Sequence, residues 1–517
     1  MEKKLISLLL VLLIPFLIFA NGSSEKEPVI DESKPADVVL LLDQDCIGVD
    51  TNSPIIKMIN ERFNINVSTM ELDSADMYEN LNVRIAGGEM PDAFLIKTIG
   101  SIPQYVKGGV LHEVPEEMIR ELAPNYSAAI DEIDPLLWRI MRYDGKNWGL
   151  GNPLSVPPLA MVYNKKWLDN LGLEVPTTLE ELEEVLLAFV NDDPDGNGID
   201  DTAGCAERVF SAVFGAYGLR VSTSNGVGFR VEDMQLDAEG LPFFPYIDER
   251  AKEPLELLHR WYELGILDKE FITGENHGGY RWISHSFING RIGLTCAFPR
   301  HYLTASYNSE DPLNWGPCMK EFKALDPSNE IVFGPAPIGP YGHSGTEMEP
   351  SQGKLIVFTQ RAFEDPRRAE AILKMIDAFY ADIDYAVLTA YGIEGEDFVN
   401  TEYGPTRIID GMKAREKGIM QFNLNATIPF EKAVRPKQHE FMKEVAPIGY
   451  DRISIPMTDS YSKYISNLDV LTEQAYFDMI TGKKPLSYFD TFVQEFKKAG
   501  GEAAENDTRA VYKENFM

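Results

Sequence analysis

Residues 192–201, with the sequence DDPDGNGIDD, place many side-chain oxygens within one short stretch. Gly198 stands at the sixth position of an EF-hand-like pattern, where such loops turn sharply. Ile199 follows at the position whose backbone carbonyl is a ligand, and Gly204 replaces the acid that usually closes the loop. Because Ca²⁺ requires such a dense supply of oxygens, the pattern predicts a structural calcium site, with a metal-free Asp/Gly-rich turn as the alternative. The side-chain ligands, at positions 1, 3, 5 and 9, are Asp193, Asp195, Asn197 and Asp201.

A helix is predicted immediately before this loop. Thr177 and Thr178 are followed three residues later by Glu180 and Glu181, which gives two overlapping capping boxes. Apolar residues then recur at helical spacing through residues 179–189. The predicted helix therefore leads the chain directly into the calcium loop.

Alternating strand and helix patterns run through residues 38–96. Strands are predicted at 38–42, 65–69 and 93–96, separated by segments with helical periodicity. This alternation is typical of a parallel, doubly wound sheet. Amphipathic helices are also predicted after residue 365 and at 488–496. The patterns therefore indicate an α/β protein, and a length of 517 residues favours two or three domains.

Five parts of the chain have a familiar sequence, and they are AGGEMPD at 86–92, YDGK at 143–146, YNKKWL at 163–168 with LGL at 171–173 and PTT at 176–178, FINGRIG at 287–293, and YGIEG at 391–395. In the same order, these segments resemble the extracellular solute-binding proteins of ABC importers. The similarity is strongest to the large LipO-like branch, which includes alginate-binding proteins. That branch usually has a calcium-binding Glu directly after the position-9 acid, where this chain has Thr202.

The resemblance implies a two-lobed periplasmic-binding-protein fold of type II, in which two doubly wound domains are joined by three hinge crossings. The crossings are expected near residues 151–156, 296–298 and 352–355. The implied division of the chain is a signal peptide at 1–20, a linker at 21–36, a first lobe of 37–152 and 298–352, and a second lobe of 153–297 and 353–517 that carries the calcium loop 193–201.

The N-terminus has the layout of a cleavable export signal. Lys3 and Lys4 precede an apolar run at 5–19, and Ala20 offers a small residue before polar sequence. Cleavage is expected to leave Asn21 as the first residue of the mature protein. The protein is then expected to be periplasmic or extracellular, and an uncleaved membrane anchor is the alternative. Relatives are often lipidated on a cysteine at this junction, but the first cysteine here is Cys46, so no lipid is expected.

The composition is strongly acidic, with 48 Lys and Arg against 81 Asp and Glu and a formal net charge of −33. Such a charge excludes nucleic acid and anionic membrane as partners. It also makes a polyanionic ligand less attractive, although a pocket can carry a local field opposite to that of the whole protein. The four cysteines are predicted to be either free thiols or two bridges of undetermined pairing, and they are Cys46, Cys205, Cys296 and Cys318.

The sequence contains no convincing catalytic constellation. GHSGT at 342–346 lacks the last glycine of a nucleophile elbow, and HEFMK at 439–443 lacks the second histidine of a zinc protease motif. The protein is therefore not expected to be an enzyme. A secreted glycan hydrolase or lyase is the alternative function, and an adhesin or scaffold is the third.

Ligand is expected in the crevice where the strands of the two lobes end. Aromatic rings can pack on the apolar face of a sugar while Asp, Asn and Arg bind its hydroxyls. We therefore expect a monomeric receptor that closes around a carbohydrate, expected to be an oligosaccharide, and delivers it to an ABC permease. The candidate ligand-binding residues are Asp43, Gln44, Asp45, Lys97, Asn152, Ser155, Phe298, Arg300, Tyr302 and Tyr391.

Overall fold

The computed structural model describes residues 34–74, 76–96, 99–133, 135, 137–152, 159–223, 229–231, 234–272, 284–346, 355–422, 428–445, 449 and 458–517. The predicted signal peptide lies outside this range, as do most of the predicted linker and two candidate ligand residues, Lys97 and Ser155. Within the described residues, no helix is both long and apolar enough to cross a membrane.

The first lobe is built on a five-stranded sheet. Its strand order is Ile65–Thr69, Ala36–Leu41, Ala93–Ile96, Leu355–Phe358 and Gly149–Leu150. The first three strands are parallel, as predicted, whereas Leu355–Phe358 runs antiparallel to both of its neighbours. Helices cover the sheet, and they are Pro54–Phe63, Met77–Ala86, Ile102–Lys107, Glu116–Leu122, Pro124–Ile133, Leu137–Ile140, Gln360–Glu364, Pro366–Ala381 and Ile383–Tyr391.

The second lobe contains a four-stranded mixed sheet with the order Ile331–Gly334, Ala160–Asn164, Ile292–Ala297 and Ala203–Cys205. Its last two strands are parallel and the other pairs are antiparallel. The surrounding helices are Lys165–Leu171, Leu179–Asn191, Phe210–Ala216, Lys252–Glu263, His285–Ile288, Pro317–Leu325, Asp459–Ile480, Phe489–Phe496 and Glu502–Phe516.

The local signals in the sequence account for several of these elements. Thr178 and Glu181 form the predicted capping box at the start of helix Leu179–Asn191. One face of that helix buries the predicted apolar residues, including Leu182, Leu186 and Phe189. The C-terminal helix Phe489–Phe496 likewise buries Phe489, Phe492 and Phe496, as its amphipathic pattern predicts.

The division of the chain between the lobes differs from the one predicted. Residues 298–352 are predicted in the first lobe, yet strand Ile331–Gly334 pairs with Ala160–Asn164 of the second sheet. Residues 353–517 are predicted in the second lobe, yet Leu355–Phe358 pairs with Ala93–Ile96 of the first sheet. The strand at 331–334 therefore belongs to the second lobe and the strand at 355–358 to the first, so the predicted domain boundaries are corrected at these two segments.

The crossings explain this exchange. The chain changes sheet between Leu150 and Ala160 and again between Gly334 and Leu355, and the predicted crossings at 151–156 and 352–355 lie mostly outside the described residues. The predicted crossing at 296–298 is wrong, because the chain stays in the second lobe, where Phe322 packs on Phe287 with ring centroids 5.3 Å apart. The third passage comes later, between helices Ile428–Val434 and Pro436–Val445.

Packing on either side locates that third passage. Phe430 packs on Phe379 of the first lobe at 5.1 Å between ring centroids, whereas Phe441 packs on Phe333 of the second lobe at 6.2 Å.

The remaining regular elements are short, and they are the strand pairs Arg142–Tyr143 with Lys146–Asn147, Ser222–Thr223 with Phe229–Arg230, Gln235–Leu236 with Pro242–Phe243, Phe398–Thr401 with Gly404–Arg407, and helix Gly411–Glu416.

Candidate functional site

The strand ends of the two sheets define the space between the lobes. In the first sheet, Leu355 pairs with Ile96, so the chain enters that sheet at the edge where the parallel strands end. In the second sheet, Ala160 pairs with Ala297 and begins at the corresponding edge. Since the crossings connect these two edges, residues that follow the strands lie where the lobes meet.

A cavity of about 380 Å³ lies at this edge of the first lobe. Gln44 and Asp45, two of the candidate ligand residues, are part of its wall. The other wall residues follow strand Ile65–Thr69 along the chain. A wall of amide, carboxylate and hydroxyl groups suits a ligand rich in hydroxyls. The full set of lining residues is Gln44, Asp45, Ser74, Asp76, Met77, Tyr78 and Glu79.

The Asp43 carboxylate is engaged within the protein, and its contact with ligand stays a prediction. Its carboxylate is buried and accepts hydrogen bonds from the backbone N–H of Asp45 at 3.0 Å and from Nε of Arg415 at 3.0 Å. Nη2 of Arg415 also lies 2.6 Å from Oδ2 of Asp45. Asp43 and Arg415 therefore hold the loop that carries Gln44 and Asp45 against the cavity.

The aromatic candidates of the second lobe are buried. Phe298 is 1% exposed and Tyr302 is 0% exposed, and Tyr302 packs edge-on against Phe287 at 5.8 Å between ring centroids. The guanidinium carbon of Arg300 lies 4.7 Å from the centroid of the Phe298 ring. In this conformation neither ring offers a face to a sugar, because the turn Pro299–His301 folds both rings inward.

Arg208 and His301 were missed by sequence reasoning, although Arg208 follows strand Ala203–Cys205 at the same edge. Both side chains are buried. Burial, together with the positive charges of Arg300 and Arg208, lowers the pKa of His301 to about 3, so its ring is neutral at physiological pH. The position of Arg208 after a strand could have indicated a site residue. That strand is only three residues long, which is too short for the sequence pattern to reveal it.

Asn152 and Tyr391 lie near the crossings. Asn152 is buried, and its Oδ1 atom lies 3.5 Å from the hydroxyl of Tyr380. The ring of Tyr391 stacks on Phe430 with centroids 6.3 Å apart and a 26° angle between the planes. Gly392 follows with φ of +93°, and a Cβ there would lie 2.5 Å from the Asp397 carboxylate. Glycine is thus required to turn the chain after Tyr391.

The predicted calcium ligands converge in the second lobe. The backbone N–H of Asn197 donates to Oδ1 of Asp193 at 3.0 Å, and its side-chain amide donates to Asp195 at 2.9 Å and to Asp201 at 3.3 Å. Burial and the neighbouring carboxylates of Asp193 and Asp201 raise the pKa of Asp195. The loop thus crowds negative charge together, a property that a bound cation would relieve.

Two observations limit this assignment. The hydroxyl of Thr202 donates to the carbonyl oxygen of Phe189 at 2.7 Å, so it is engaged with the preceding helix. Among the described residues, no group of three or more His, Cys, Asp or Glu side chains has the arrangement of a metal site. The loop therefore supplies converging oxygens without a complete coordination shell.

Comparisons with known proteins agree with this architecture. Residues 48–250 match the family described as bacterial extracellular solute-binding protein. The polygalacturonan/rhamnogalacturonan-binding protein YtcQ of Bacillus subtilis (strain 168) is 25% identical over 481 residues, covering 89% of this chain and 88% of that protein.

Two solved structures have a similar fold. The alginate-binding protein AlgQ2 without calcium ion has a TM-score of 0.68 and 17% identity, over 94% of this chain and 100% of that one. The S. pneumoniae ABC-transporter substrate binding protein FusA, as an EF-hand mutant in complex with fructo-nystose, has a TM-score of 0.64 and 18% identity, over 93% and 99%. These relatives are named as binding proteins, and this chain shares the two-lobed fold of the solved structures.

Proposed function

We propose that this protein captures an oligosaccharide between its lobes and delivers it to the permease of an ABC importer. The cavity beside Gln44 and Asp45 carries the proposal, since it lies at the edge where the first-lobe strands end and offers polar groups to a hydroxyl-rich solute. Ligand contact with both lobes would favour the closed form, because only differential contact can shift a conformational equilibrium. The relatives named for pectic, alginate and fructan ligands support a carbohydrate.

The proposed setting is the exterior of a bacterial cell. We propose that the protein is exported, loses residues 1–20, carries no lipid and acts as a monomer. N-terminal sequencing and intact mass would test this part, since an acyl chain or a retained leader would contradict it.

We further propose that the loop 193–201 binds a structural Ca²⁺ ion through Asp193, Asp195, Asn197, Asp201 and the carbonyl of Ile199. The convergence of the three carboxylates on Asn197 supports this assignment. The loop belongs to the surface of the second lobe, so the ion would stabilise that lobe and not contact the solute.

A glycan array followed by calorimetry with purified mature protein tests the proposed function. We expect tight binding of at least one oligosaccharide, recovery of that oligosaccharide intact, and a smaller radius of gyration with ligand bound. Failure of every glycan and small solute to bind, or cleavage of the one that binds, would refute the proposal.

Two variants of the cavity wall sharpen this test. Gln44 and Asp76 are exposed in the wall, and Asp76 makes no side-chain bond at the start of helix Met77–Ala86. Gln44→Ala should weaken binding about 2- to 10-fold, the scale of one neutral hydrogen bond, and Asp76→Ala by about 10-fold or more, because a carboxylate forms a charge-assisted bond. Glu184→Ala, exposed on a second-lobe helix, is the matched control and should bind like the wild type.

A further inference from the structure

The loop 193–201 contains Asn197 followed by Gly198, a pair with a reactivity of its own. In an Asn-Gly pair the backbone nitrogen of the glycine can attack the side-chain amide carbon of the asparagine. The attack closes a cyclic imide and releases ammonia, and water then opens the imide to give aspartate or isoaspartate. Glycine favours the attack because it has no Cβ to obstruct the approach. The reaction in the folded protein therefore depends on how the loop holds the reacting groups.

The backbone nitrogen of Gly198 is directed at a carboxylate. Its N–H donates to Oδ2 of Asp193 at 2.9 Å. The other oxygen of the same carboxylate, Oδ1, accepts the backbone N–H of Asn197 at 3.0 Å, and this second bond fixes the orientation of Asp193. Asp193 can therefore act as a general base that takes the proton from the Gly198 nitrogen as that nitrogen attacks.

The side-chain amide of Asn197 is held at both of its polar atoms. Its Oδ1 atom accepts the backbone N–H of Ile199 at 2.6 Å, and this donor stabilises negative charge that develops on the oxygen during the attack. Its Nδ2 atom, which is the leaving nitrogen, donates to Asp195 at 2.9 Å and to Asp201 at 3.3 Å. These bonds orient the amide without blocking it, because none of them is made by the carbon that is attacked.

The pair is accessible to water. Asn197 and Gly198 are both exposed. Gly198 has a φ of +79°, a conformation that glycine adopts readily, and a Cβ at this residue would meet no atom within 4 Å. The loop thus leaves room for the imide to form and for water to open it. The glycine that the turn requires also makes Asn197 reactive.

Another Asn-Gly pair, Asn289 with Gly290, provides a comparison within the described residues. Asn289 is exposed and Gly290 has a φ of +73°, so the two pairs share residue types, exposure and a turn. The N–H of Gly290, however, donates to the backbone carbonyl oxygen of Phe287 at 3.1 Å, where helix His285–Ile288 ends. A carbonyl oxygen is a much weaker base than a carboxylate, so this contact gives the attack no comparable assistance.

We propose that Asn197 is a site of spontaneous deamidation in the native protein. Gly198 attacks the amide, Asp193 takes the proton from the Gly198 nitrogen, and the N–H of Ile199 stabilises the amide oxygen. A bond forms between Cγ of Asn197 and the Gly198 nitrogen, and the bond between Cγ and Nδ2 breaks. The leaving nitrogen departs as ammonia with the proton that Gly198 released, and water supplies the hydroxyl group of the product acid. The proposal does not depend on the solute that the protein binds.

Deamidation would change the loop that we propose holds calcium. Conversion to aspartate places a further carboxylate beside Asp193, Asp195 and Asp201, which strengthens the attraction for a cation. Conversion to isoaspartate lengthens the backbone within the turn. A bound Ca²⁺ ion would engage the Asp193 carboxylate and the Asn197 amide oxygen, so neither could assist the attack. The reaction therefore belongs to the calcium-free loop.

Peptide mass spectrometry of the native protein during incubation in EDTA tests the proposal. Digestion at acidic pH prevents further reaction, and fragment ions locate each amide that has become an acid. We expect Asn197 to deamidate at least about 10-fold faster than Asn289, a conservative share of what general-base catalysis supplies. In denaturant the two rates should approach each other, because the contacts of Asp193 and Ile199 are lost. Equal native rates, or a slower rate for Asn197, would overturn the proposal.

Asp193→Asn connects the rate to the assigned base. The new amide oxygen can still accept the N–H of Gly198 but cannot take its proton, so deamidation of Asn197 in EDTA should slow at least about 10-fold. Asp192→Asn, directly before the loop, is the matched control and should react at the wild-type rate. A melting curve of each variant verifies that it is folded. A wild-type rate in folded Asp193→Asn would overturn the assigned mechanism.

Added calcium separates this proposal from the proposed calcium site. If the loop binds Ca²⁺, calcium should slow deamidation of Asn197 to about the rate of Asn289 and leave Asn289 unchanged. If Asn197 reacts equally fast with calcium and with EDTA, and faster than Asn289 in both, the calcium site is contradicted and the deamidation site stands. If Asn197 reacts no faster than Asn289 in EDTA, the deamidation site is overturned whatever the effect of calcium.

Discussion

The hydroxyl of Tyr403 donates a hydrogen bond of 2.8 Å to Oδ2 of Asp311, and this bond joins the two lobes. Tyr403 belongs to the first-lobe hairpin Phe398–Thr401 with Gly404–Arg407, whereas Asp311 precedes the second-lobe turn Pro312–Asn314. The Asp311 carboxylate raises the pKa of Tyr403, so the tyrosine remains the donor at neutral pH. The hairpin therefore contacts the opposite lobe directly, close to Arg407.

Tyr403→Phe should favour the open arrangement of the lobes. The variant loses one hydrogen bond to a carboxylate and keeps the ring, so ligand affinity should fall by about 1 kcal/mol, or about 5-fold, mainly through faster dissociation. Surface plasmon resonance with the sugar identified on the array measures this directly. Tyr488→Phe removes a tyrosine–glutamate bond within the second lobe and serves as the control. Equal dissociation rates for Tyr403→Phe and wild type would exclude a role in closure.

The fold could be predicted where local pattern and tertiary packing agree. Val38 and Leu40 lie in a strand whose side chains are buried, and this burial produces the apolar run that marks the strand in the sequence. Leu355–Phe358 is equally apolar, but its pattern does not say which sheet it joins. The pairing with Ala93–Ile96 spans more than half of the chain, and only long-range contacts specify it.

The candidate site was predictable only in part, for a similar reason. Ligand is expected in the crevice where the strands end, and Gln44 and Asp45 follow the first strand. This rule selects both residues, and both line the cavity. The same rule selects Phe298 and Tyr302, yet the turn at Pro299–His301 buries both rings. Tyr403, which bonds Asp311 of the other lobe, follows no core strand of either sheet. It lies in a hairpin that packs on a helix from a distant part of the sequence.

The four cysteines should behave as unreactive free thiols. All four are free and buried in the structure, which favours the thiol alternative over bridges. Burial, with smaller contributions from Asp43 and Asp45, raises the pKa of Cys46 to about 11, which leaves little thiolate at neutral pH. Titration with Ellman's reagent should show no rapid reaction in the native protein and release of four equivalents in denaturant. An unchanged melting temperature in reducing agent would agree, and a large decrease would reveal a bridge.

Removal of calcium should lower stability more than ligand affinity. If the loop 193–201 holds the ion, chelation with EDTA should lower the melting temperature by several degrees, since a ligand of the folded state alone stabilises it by mass action. Asp195→Asn should reproduce this loss and abolish the effect of EDTA, whereas Asp192→Asn, directly outside the predicted ligand set, should respond like wild type. Identical melting curves with and without EDTA, and no metal in the purified protein, would exclude a calcium site.

Glu431 should make the stability of the protein depend on pH near neutrality. Burial raises the pKa of its carboxyl from the ordinary value of 4.5 to about 7, despite the opposing charges of Arg300 and Arg435. Between these two pKa values the folded protein holds a proton that the unfolded chain has released. The protonated Glu431 carboxyl therefore makes its full contribution to the free energy of unfolding below about pH 4.5. That contribution declines as the pH rises towards about 7 and is absent above that.

Glu431→Gln replaces the carboxyl with a group that does not titrate and should remove this decline. The variant should melt above wild type at about pH 8, and the difference should shrink as the pH is lowered to about 5. Differential scanning calorimetry across this range measures it, with Glu184→Gln as an exposed control that should follow the wild-type profile. Parallel pH profiles for Glu431→Gln and wild type would show that the carboxyl is already ionised throughout, stabilised by the charges of Arg300 and Arg435.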